Sequence, residues 1–296
     1  MSEGTSVPTL TYSADIVDAV ERTWSSEGLS DETLGCVIHQ ERWRHAMREA
    51  VGSTWSRIQS FFAEALDRAP HIALFAPQVR DVAPVRPLLG ALAVALGQPE
   101  DPYRASWSRV LQDVPSRAGP DSDSRWHVDS PGWRETNDIT CLLCFRSARH
   151  GGETQFLTWQ ALLAALREQP GLFEAACNLQ VPWLLDQGLG GGVVYSAVLS
   201  SSGLRYMAES LTRAAESCPT DHVLSKTCAA LISLVDPLEP TLSIRLEPGE
   251  ILVFDNKRVL HRRGPMVGGE TRLLVRSRLT NPAWVRQASS LELAPR

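Results

Sequence analysis

The 296-residue sequence contains no run of about eighteen apolar residues, which a membrane-spanning helix would need. Its start, MSEGTSVPTLTYSADIVDAV, lacks the basic and apolar regions of a secretory signal peptide. Positive charge is not in excess either, because 29 Lys and Arg stand against 34 Asp and Glu, a net charge of −5. A general nucleic-acid surface needs clustered basic residues in excess. These absences predict a cytoplasmic protein without membrane or nucleic-acid partners.

Cysteine is too sparse for a disulfide framework, since six cysteines are scattered between Cys36 and Cys228. Cys141 and Cys144 form the one suggestive pair, in the segment NDITCLLCFRS. This segment has the composition of a β-strand, in which residues three apart point to opposite faces. We therefore expect two buried thiols that behave as small apolar side chains, and no shared metal.

The order of helical and extended patterns predicts one domain over residues 1–296. Residues 1–100 are mostly helical in pattern, with Ser13 as a plausible N-cap of the first helix. Residues 103–280 carry short strand patterns separated by Gly, Pro and Asp, with a helical insert at about 159–235. We expect a mainly β fold with flanking helices, a sandwich or jelly roll. The strand candidates are HIALFA, ASWSRVLQDV, RWHVDS, DITCLLCFR, ETQFLTW, TLSIRL, EILVFD and ETRLLVRSRL.

A glycine cluster, DQGLGGGVVYSAVLSSSG, occupies residues 186–203. The spacing of Gly188, Gly190 and Gly192 does not match the dinucleotide-binding fingerprint, and no regular helix pattern opens directly after them. The segment is predicted to be a mobile loop, which in an enzyme could serve as a lid.

His127 and Asp129 lie two residues apart in the extended segment SRWHVDSPGW. Alternate residues of a strand project from the same face, so the imidazole and the carboxylate can converge on one point. A second histidine from a distant strand would complete the 2-His-1-carboxylate set of non-haem iron(II) oxygenases. His261, just past the apolar strand in EILVFDNKRVLHRRGP, is the candidate. The similar HQE sequence at His39 lies in a helical pattern, where residues two apart diverge.

Four motifs in order resemble the taurine dioxygenase-like (clavaminate synthase-like) branch of the iron(II)/2-oxoglutarate oxygenases. They are WHVDS, GGET at 151–154, PGEILVFDNKRVLH ending at His261, and TRLLVRSRL starting at Thr271. Thr154 follows His127 by 27 positions and Arg272 follows His261 by 11, as in that family. The resemblance covers roughly residues 103–280.

The resemblance implies a double-stranded β-helix, that is, a jelly roll, with Fe(II) bound by His127, Asp129 and His261. It implies 2-oxoglutarate and O2 as cosubstrates and succinate and CO2 as coproducts. The main expectation is hydroxylation of an unactivated C–H bond in a small molecule. The substrate class favoured is a small polar metabolite, such as an amino acid or its derivative, and a substrate tethered to a carrier protein is also compatible.

The distal carboxylate of 2-oxoglutarate needs a cationic partner, and by the resemblance Arg272 supplies a bidentate pair while Thr154 donates its hydroxyl. Arg276 lies four residues further along the same strand and hence on the same face. It is a candidate for supporting the cosubstrate or holding an anionic substrate group; a surface salt bridge is the equally weighted alternative.

Three further residues are candidates for substrate binding. Arg205 in GLRYMAESL could bind an anion, and Trp126 and Trp133 flank the first two metal ligands. Core packing is the alternative for both tryptophans.

Two other functional classes stay open at this stage. The same three ligands could hold zinc in a hydrolase, although Thr154 and Arg272 would then have no role. A non-catalytic jelly-roll protein that binds a metal or ligand is the other alternative, and the intact ligand set and arginine weigh against it.

Overall fold

The computed structural model describes most of the chain. The described residues are 6–28, 37–78, 85–99, 107–113, 124–184, 191–220, 222–266, 270–280 and 282. Among them, no helix is long and apolar enough to cross a membrane.

Helices form where apolar residues recur at helical spacing, both before the sheets and between their strands. Their bounds are α1 Ala14–Ser26, α2 Val37–Val51, α3 Thr54–Asp67, α4 Arg86–Leu96, α5 Trp159–Arg167, α6 Pro170–Asn178, α7 Ala208–Glu216 and α8 Val223–Val235. In α4 every residue from Leu88 to Leu96 is buried, as its apolar sequence predicts. Ser13 is the N-cap residue of α1 by position, although its side chain makes no capping hydrogen bond.

Strands alternate between a large sheet and smaller ones. Their bounds are β1 Thr9–Tyr12, β2 Ile72–Pro77, β3 Gln98–Pro99, β4 Arg109–Asp113, β5 Ile139–Arg146, β6 Thr154–Thr158, β7 Val181–Leu184, β8 Val193–Ser196, β9 Leu199–Ser200, β10 Gly203–Leu204, β11 Leu242–Ile244, β12 Ile251–Asp255, β13 Val259–Arg263 and β14 Arg272–Thr280. The predicted combination of β-sheets with flanking helices is confirmed.

The large sheet has the strand order β1-β2-β12-β5-β14-β3, and β4 pairs with β14 beside it. Only β1 and β2 are parallel; the other pairs are antiparallel. Strand β5 is an almost continuous apolar run because both of its faces are covered. Cys141 packs on the face that meets α1–α4, and Cys144 packs on the face that meets the second sheet.

The cysteine prediction is therefore confirmed, since both thiols are fully buried and lie on opposite faces. Burial raises the pKa of the Cys144 thiol to about 12, and the pKa of Cys141 is raised by the same cause. Neither thiol is a ready metal ligand at neutral pH.

The second sheet, in the order β11-β6-β13, is antiparallel and faces the large one. Phe156 of β6 meets Phe254 of β12 across the gap, with ring centroids 5.1 Å apart. This aromatic contact lies in a core cluster that also contains Leu142 and Leu274. The two sheets thus enclose the space in which the functional side chains meet.

Several sequence predictions are corrected. RWHVDS is not a regular strand. Its one paired residue, His127, forms isolated β-bridges to Met207 on one side and to His261 on the other, which is too little pairing for a strand. His261 lies inside strand β13 and not just past a strand. The first seventy residues include strand β1 besides the helices, since the short segment TLTY adds to the edge of β2.

The insert at 159–235 is also less helical than predicted, because the strand pairs β7/β8 and β9/β10 separate α6 from α7. In the glycine cluster, residues 186–190 lie outside the described residues, whereas residues 193–196 form a strand and not a loop. The hydrogen bonds of that strand to β7 replace the loop conformation predicted there. A lid role for this segment stays a prediction.

Helix α4 lies against the large sheet, so its packing should be needed for folding. Leu92→Ala is expected to lower the free energy of unfolding by about 2–5 kcal/mol, because this side chain is 2% exposed and its loss leaves a cavity. Urea unfolding followed by circular dichroism would measure the change. Val223→Ala, at a position 58% exposed, is the control and should change the value by no more than about 0.5 kcal/mol. Equal effects would contradict this packing.

Candidate metal centre and cosubstrate pocket

The structure brings His127, Asp129 and His261 together. One potential ligand atom from each lies within 4.8 Å of the others, and all three residues are buried. Backbone hydrogen bonds fix the two histidines, since each N–H donates to the other residue's carbonyl at 3.0 and 2.9 Å. His127 and Asp129 can reach one point because alternate residues of an extended segment share a face.

The hydrogen bond of His127 determines which ring nitrogen can bind a metal. Its Nδ1 lies 2.9 Å from the carbonyl oxygen of Arg125. A carbonyl can only accept, so Nδ1 carries the proton and the lone pair of a neutral ring is on Nε2. Arg125 itself is anchored, because its Nε donates to Asp236 Oδ2 at 3.0 Å.

His261 is suited to the same task. Burial, followed by the neighbouring His127, lowers the pKa of His261 well below its usual value, so the ring is neutral near pH 7. Its Nε2 lies 3.9 Å from Asp129 Oδ2, whereas its buried Nδ1 has no hydrogen-bond partner. A neutral imidazole with an available lone pair is what a metal ligand requires.

The Asp129 carboxylate is held by three side chains. The Thr140 hydroxyl donates to Oδ2 at 2.9 Å, and the guanidiniums of Arg276 and Arg278 approach Oδ1 at 2.5 and 3.2 Å. Burial alone would raise the pKa of Asp129, but the two arginines outweigh it and hold this pKa well below its usual range. The group is thus an anion in the interior.

Asn256 fixes the backbone of Asp129. Its Oδ1 accepts from the N–H of Asp129 at 2.8 Å, and its Nδ2 lies 3.1 Å from the Asp129 carbonyl. The same amide contacts the backbone and side chain of Asn137. Sequence reasoning missed Thr140, Asn256 and Arg278; the position of Asn256 in the motif preceding His261 was the one available signal.

Arg272 and Thr154 meet in a cavity next to the ligands. The Arg272 Nη1 donates to the Thr154 hydroxyl at 3.2 Å and to the Gly152 carbonyl at 2.8 Å. The cavity is lined by Leu111, His127, Leu142, Thr154, His261, Arg262, Arg263, Arg272, Leu274 and Arg276. All three predicted cosubstrate residues, including Arg276, thus face the same cavity as the two histidines.

The glycines of GGET are needed for the turn that leads to Thr154. Gly151 and Gly152 have φ angles of +73° and +71°, which favour glycine. A Cβ at Gly151 would lie 2.0 Å from the Pro265 carbonyl oxygen. This close approach allows the N–H of Gly152 to donate to the same oxygen at 2.9 Å.

The donor set fits a divalent iron. Two imidazoles and one carboxylate, all buried and within reach of one point, match the protein ligands of non-haem iron(II) oxygenases. The hydrogen bonds to His127 and Asp129 supply the outer contacts that orient such ligands.

Comparisons with known proteins agree with this chemistry. The family model described as "Taurine catabolism dioxygenase TauD, TfdA family" matches residues 220–278. A uridine-5′-phosphate dioxygenase from an Amycolatopsis species is 28% identical over 214 residues, which are 62% of this chain and 76% of that protein.

Solved structures extend the likeness over nearly the whole chain. Asparagine oxygenase in complex with Fe(II), 3-hydroxyasparagine and succinate aligns with a TM-score of 0.62 at 18% identity, covering 92% of this chain and 93% of that one. The non-haem iron oxygenase OrfP with Fe and α-ketoglutaric acid gives 0.60 at 17% identity, covering 92% and 94%. These likenesses show a shared fold.

These matches agree with the taurine dioxygenase-like resemblance that the four sequence motifs indicate. The predicted enzyme class is confirmed: a dioxygenase that uses iron(II), 2-oxoglutarate and O2.

In this oxygenase Arg276 is a buried residue, 7% exposed. The alternative prediction for Arg276 was a surface salt bridge. Arg276 does form an ion pair, but its partner is the buried carboxylate of Asp129, so the predicted surface location is wrong. Arg276 also lines the cavity that contains Arg272. Its contact with the cosubstrate or the substrate stays a prediction.

The three predicted substrate residues are bound into the surrounding structure. Arg205 donates from Nη1 to the carbonyls of Pro131 and Trp133 at 2.8 and 2.7 Å, and from Nη2 to that of Arg134 at 3.0 Å. Trp126 is fully buried and donates to the Leu238 carbonyl at 3.1 Å, so core packing describes its position.

Trp133 is 5% exposed and its ring lies 5.3 Å from the Arg278 guanidinium. Substrate contact by Arg205, Trp126 or Trp133 stays a prediction.

The Thr140 hydroxyl should be needed for strong metal binding. Thr140→Val keeps the shape but removes the donor to Asp129, and we expect the affinity for Fe(II) to fall about 10- to 100-fold. Anaerobic titration calorimetry would measure it. Thr227→Val makes the same change in helix α8, at a site 8% exposed, and should leave the affinity unchanged. An unaltered affinity in Thr140→Val would remove the hydroxyl from this role.

Proposed function

We propose that the protein hydroxylates an unactivated C–H bond of a small polar metabolite, with Fe(II) held by His127, Asp129 and His261. The observation that carries this proposal is the convergence of these three buried residues beside the cavity that contains Arg272 and Thr154. When bound, iron and 2-oxoglutarate activate O2, and the oxidation yields succinate, CO2 and a hydroxylated substrate.

The chain's own residues prepare this chemistry by position and charge. The two imidazoles offer nitrogen ligands, that of His261 as a neutral ring, while Asp129, ionised in the interior, contributes one negative charge toward the two positive charges of iron(II). Thr140 and Asn256 already hold Asp129 in place, so its side chain loses little conformational freedom when it binds a metal. The site is preorganised in this sense.

Arg272 and Thr154 are the proposed anchor for the distal carboxylate of 2-oxoglutarate. The guanidinium can form a bidentate, charge-assisted pair, and the hydroxyl adds a neutral donor beside it. Their mutual hydrogen bond and the contact with the Gly152 carbonyl keep Arg272 in place. We propose that Arg276 supports the same cosubstrate, because it lines the same cavity.

The relatives' substrates support a small polar molecule. The structural neighbours were solved with 3-hydroxyasparagine, L-Arg or hydroxylated Arg, and the related dioxygenase is named for uridine 5′-phosphate. An amino acid or amino-acid derivative remains the favoured class, and a carrier-protein-tethered form is compatible with it. Substrate contact by Arg205, Trp126 and Trp133 stays a prediction, although backbone carbonyls hold Arg205 and Trp126 is packed in the core.

We also infer that the chain forms one oxygenase domain, with the two facing sheets as a double-stranded β-helix. The core cluster shared by strands β5, β6, β12, β13 and β14 supports this inference. The cytoplasmic location and the absence of nucleic-acid and membrane partners stay predictions.

The metal assignment can be tested by an anaerobic visible spectrum of the protein with Fe(II) and then 2-oxoglutarate. A weak charge-transfer band is expected for the wild type and should be lost in His127→Ala and Asp129→Ala, because two ligands hold Fe(II) poorly. His45→Ala, which removes an exposed histidine paired with Glu49, should keep the band. A wild-type protein without the band at saturating cosubstrate would contradict the proposed function.

The cosubstrate anchor has a separate test. Arg272→Ala is expected to weaken 2-oxoglutarate binding by about 2–5 kcal/mol, because a buried carboxylate loses its charged partner. The 2-oxoglutarate concentration that gives half of the maximal succinate formation measures this change. Arg42→Ala, an exposed arginine paired with Glu27, is the charge-matched control. If the requirement is unchanged in Arg272→Ala, the anchor lies elsewhere, with Arg276 the next candidate.

A further inference from the structure

The segment that carries His127 depends on side-chain contacts for its position. His127 forms single β-bridges to Met207 on one side and to His261 on the other. One more backbone hydrogen bond follows, from the N–H of Val128 to the Tyr206 carbonyl at 2.9 Å. A regular strand continues such pairing over several residues. Other contacts must therefore help to fix this segment.

An ion pair holds the residue whose backbone orients His127. The Arg125 guanidinium donates through Nε to Asp236 Oδ2 at 3.0 Å, and its Nη2 donates to the same oxygen. The two side chains are 27% and 29% exposed, so the pair is partly shielded from water. The carbonyl of Arg125 lies 2.9 Å from Nδ1 of His127. Asp236 thus holds Arg125 by its side chain, and Arg125 orients the imidazole by its backbone.

Trp126, between Arg125 and His127, is held from the same turn. Its indole N–H donates to the carbonyl of Leu238, two residues after Asp236, at 3.1 Å. On β13, the guanidinium of Arg262 lies 4.1 Å from the centroid of the Trp126 ring. The turn at residues 236–238, which follows helix α8, therefore contacts two consecutive residues of the segment.

Asp236 also contacts the chain that pairs with this segment at Met207. The Tyr206 hydroxyl donates to Asp236 Oδ1 at 3.4 Å, while the Tyr206 carbonyl accepts from Val128. Asp236 uses Oδ2 for Arg125 and Oδ1 for Tyr206. One carboxylate therefore connects two chain segments that meet beside a metal ligand.

We propose that Asp236 is a positioning residue of the metal centre, which acts on His127 through Arg125. This assignment rests on the proposed function, since it concerns a histidine that would bind Fe(II). Without the charge of Asp236, the remaining carboxylate near Arg125 among the described residues is Glu209, at 3.8 Å. The Arg125 carbonyl and the His127 ring would then be less fixed. A ligand that must be ordered when the metal binds lowers the affinity.

The test is a double-mutant cycle with wild type, Asp236→Asn, Arg125→Gln and the double variant. Anaerobic titration calorimetry measures the affinity for Fe(II), and the charge-transfer band with 2-oxoglutarate is recorded for each protein. Asp236→Asn keeps the size of the side chain and removes its charge. Arg245→Gln is the matched control, because it removes an ion pair of comparable exposure, with Glu153, away from the segment.

We expect Asp236→Asn to weaken Fe(II) binding about three- to tenfold, less than the loss of a direct partner of a ligand would. Arg125→Gln should have a similar effect. The double variant should bind no more weakly than either single variant, because both substitutions remove the same ion pair. Arg125→Lys keeps the charge, should bind more tightly than Arg125→Gln, and is the second variant if Arg125→Gln folds poorly. Arg245→Gln should bind as the wild type does.

A second measurement reports on the imidazole itself. In the Co(II)-loaded protein, the ring N–H of each bound histidine gives a paramagnetically shifted proton signal in NMR spectra. The Nδ1 proton of His127, which is bonded to the Arg125 carbonyl, should exchange with solvent faster in Asp236→Asn than in the wild type. The signal of His261, whose Nδ1 makes no hydrogen bond to Arg125, is the internal control. A general loss of stability would affect both signals alike.

The outcomes separate the two proposals. Neither Fe(II) binding nor a charge-transfer band in the wild type would overturn the proposed function, and this inference with it. A normal wild-type band with equal Fe(II) affinities in wild type and Asp236→Asn would overturn this inference alone. The same holds if Arg245→Gln loses as much affinity as Asp236→Asn, or if the effects of the two single substitutions add in the double variant.

Discussion

The buried charge of Asp129 is the constraint on which the site depends. A carboxylate that is 2% exposed is stable only if hydrogen bonds and opposite charges replace water around it. Thr140, Arg276 and Arg278 supply them from two neighbouring strands of the large sheet, while Asn256 holds the backbone. The ligand that a metal needs is therefore fixed by the same contacts that make its burial tolerable.

The period of two along a strand accounts for what the sequence could predict. In β14 it places Arg272 and Arg276 together inside and Val275 in the opposite core, so the face that carries the proposed cosubstrate residues followed from spacing alone. The same alternation explained Cys141 and Cys144. It also correctly predicted that the side chains of His127 and Asp129 point to the same side, although their segment forms only isolated β-bridges and is not a regular strand.

What the sequence could not give are the partners of polar side chains. Arg205 was a candidate for binding an anion. Its acceptors are backbone carbonyls of residues 131–134, which no side-chain pattern marks. The role of Thr140 could not be predicted for a similar reason. A single threonine in an apolar strand indicates no function by itself, and only the fold shows that its hydroxyl donates to Asp129.

The Asp129 carboxylate divides its contacts between its two oxygens. The guanidiniums of Arg276 and Arg278 both approach Oδ1, whereas Oδ2 accepts from Thr140 and lies 3.9 Å from the His261 Nε2. Because the histidine nitrogen lies beside Oδ2, this oxygen can face a metal while Oδ1 keeps its arginine partners. The contacts that make the buried charge tolerable and the contact that a metal needs are therefore on different oxygens of the same side chain.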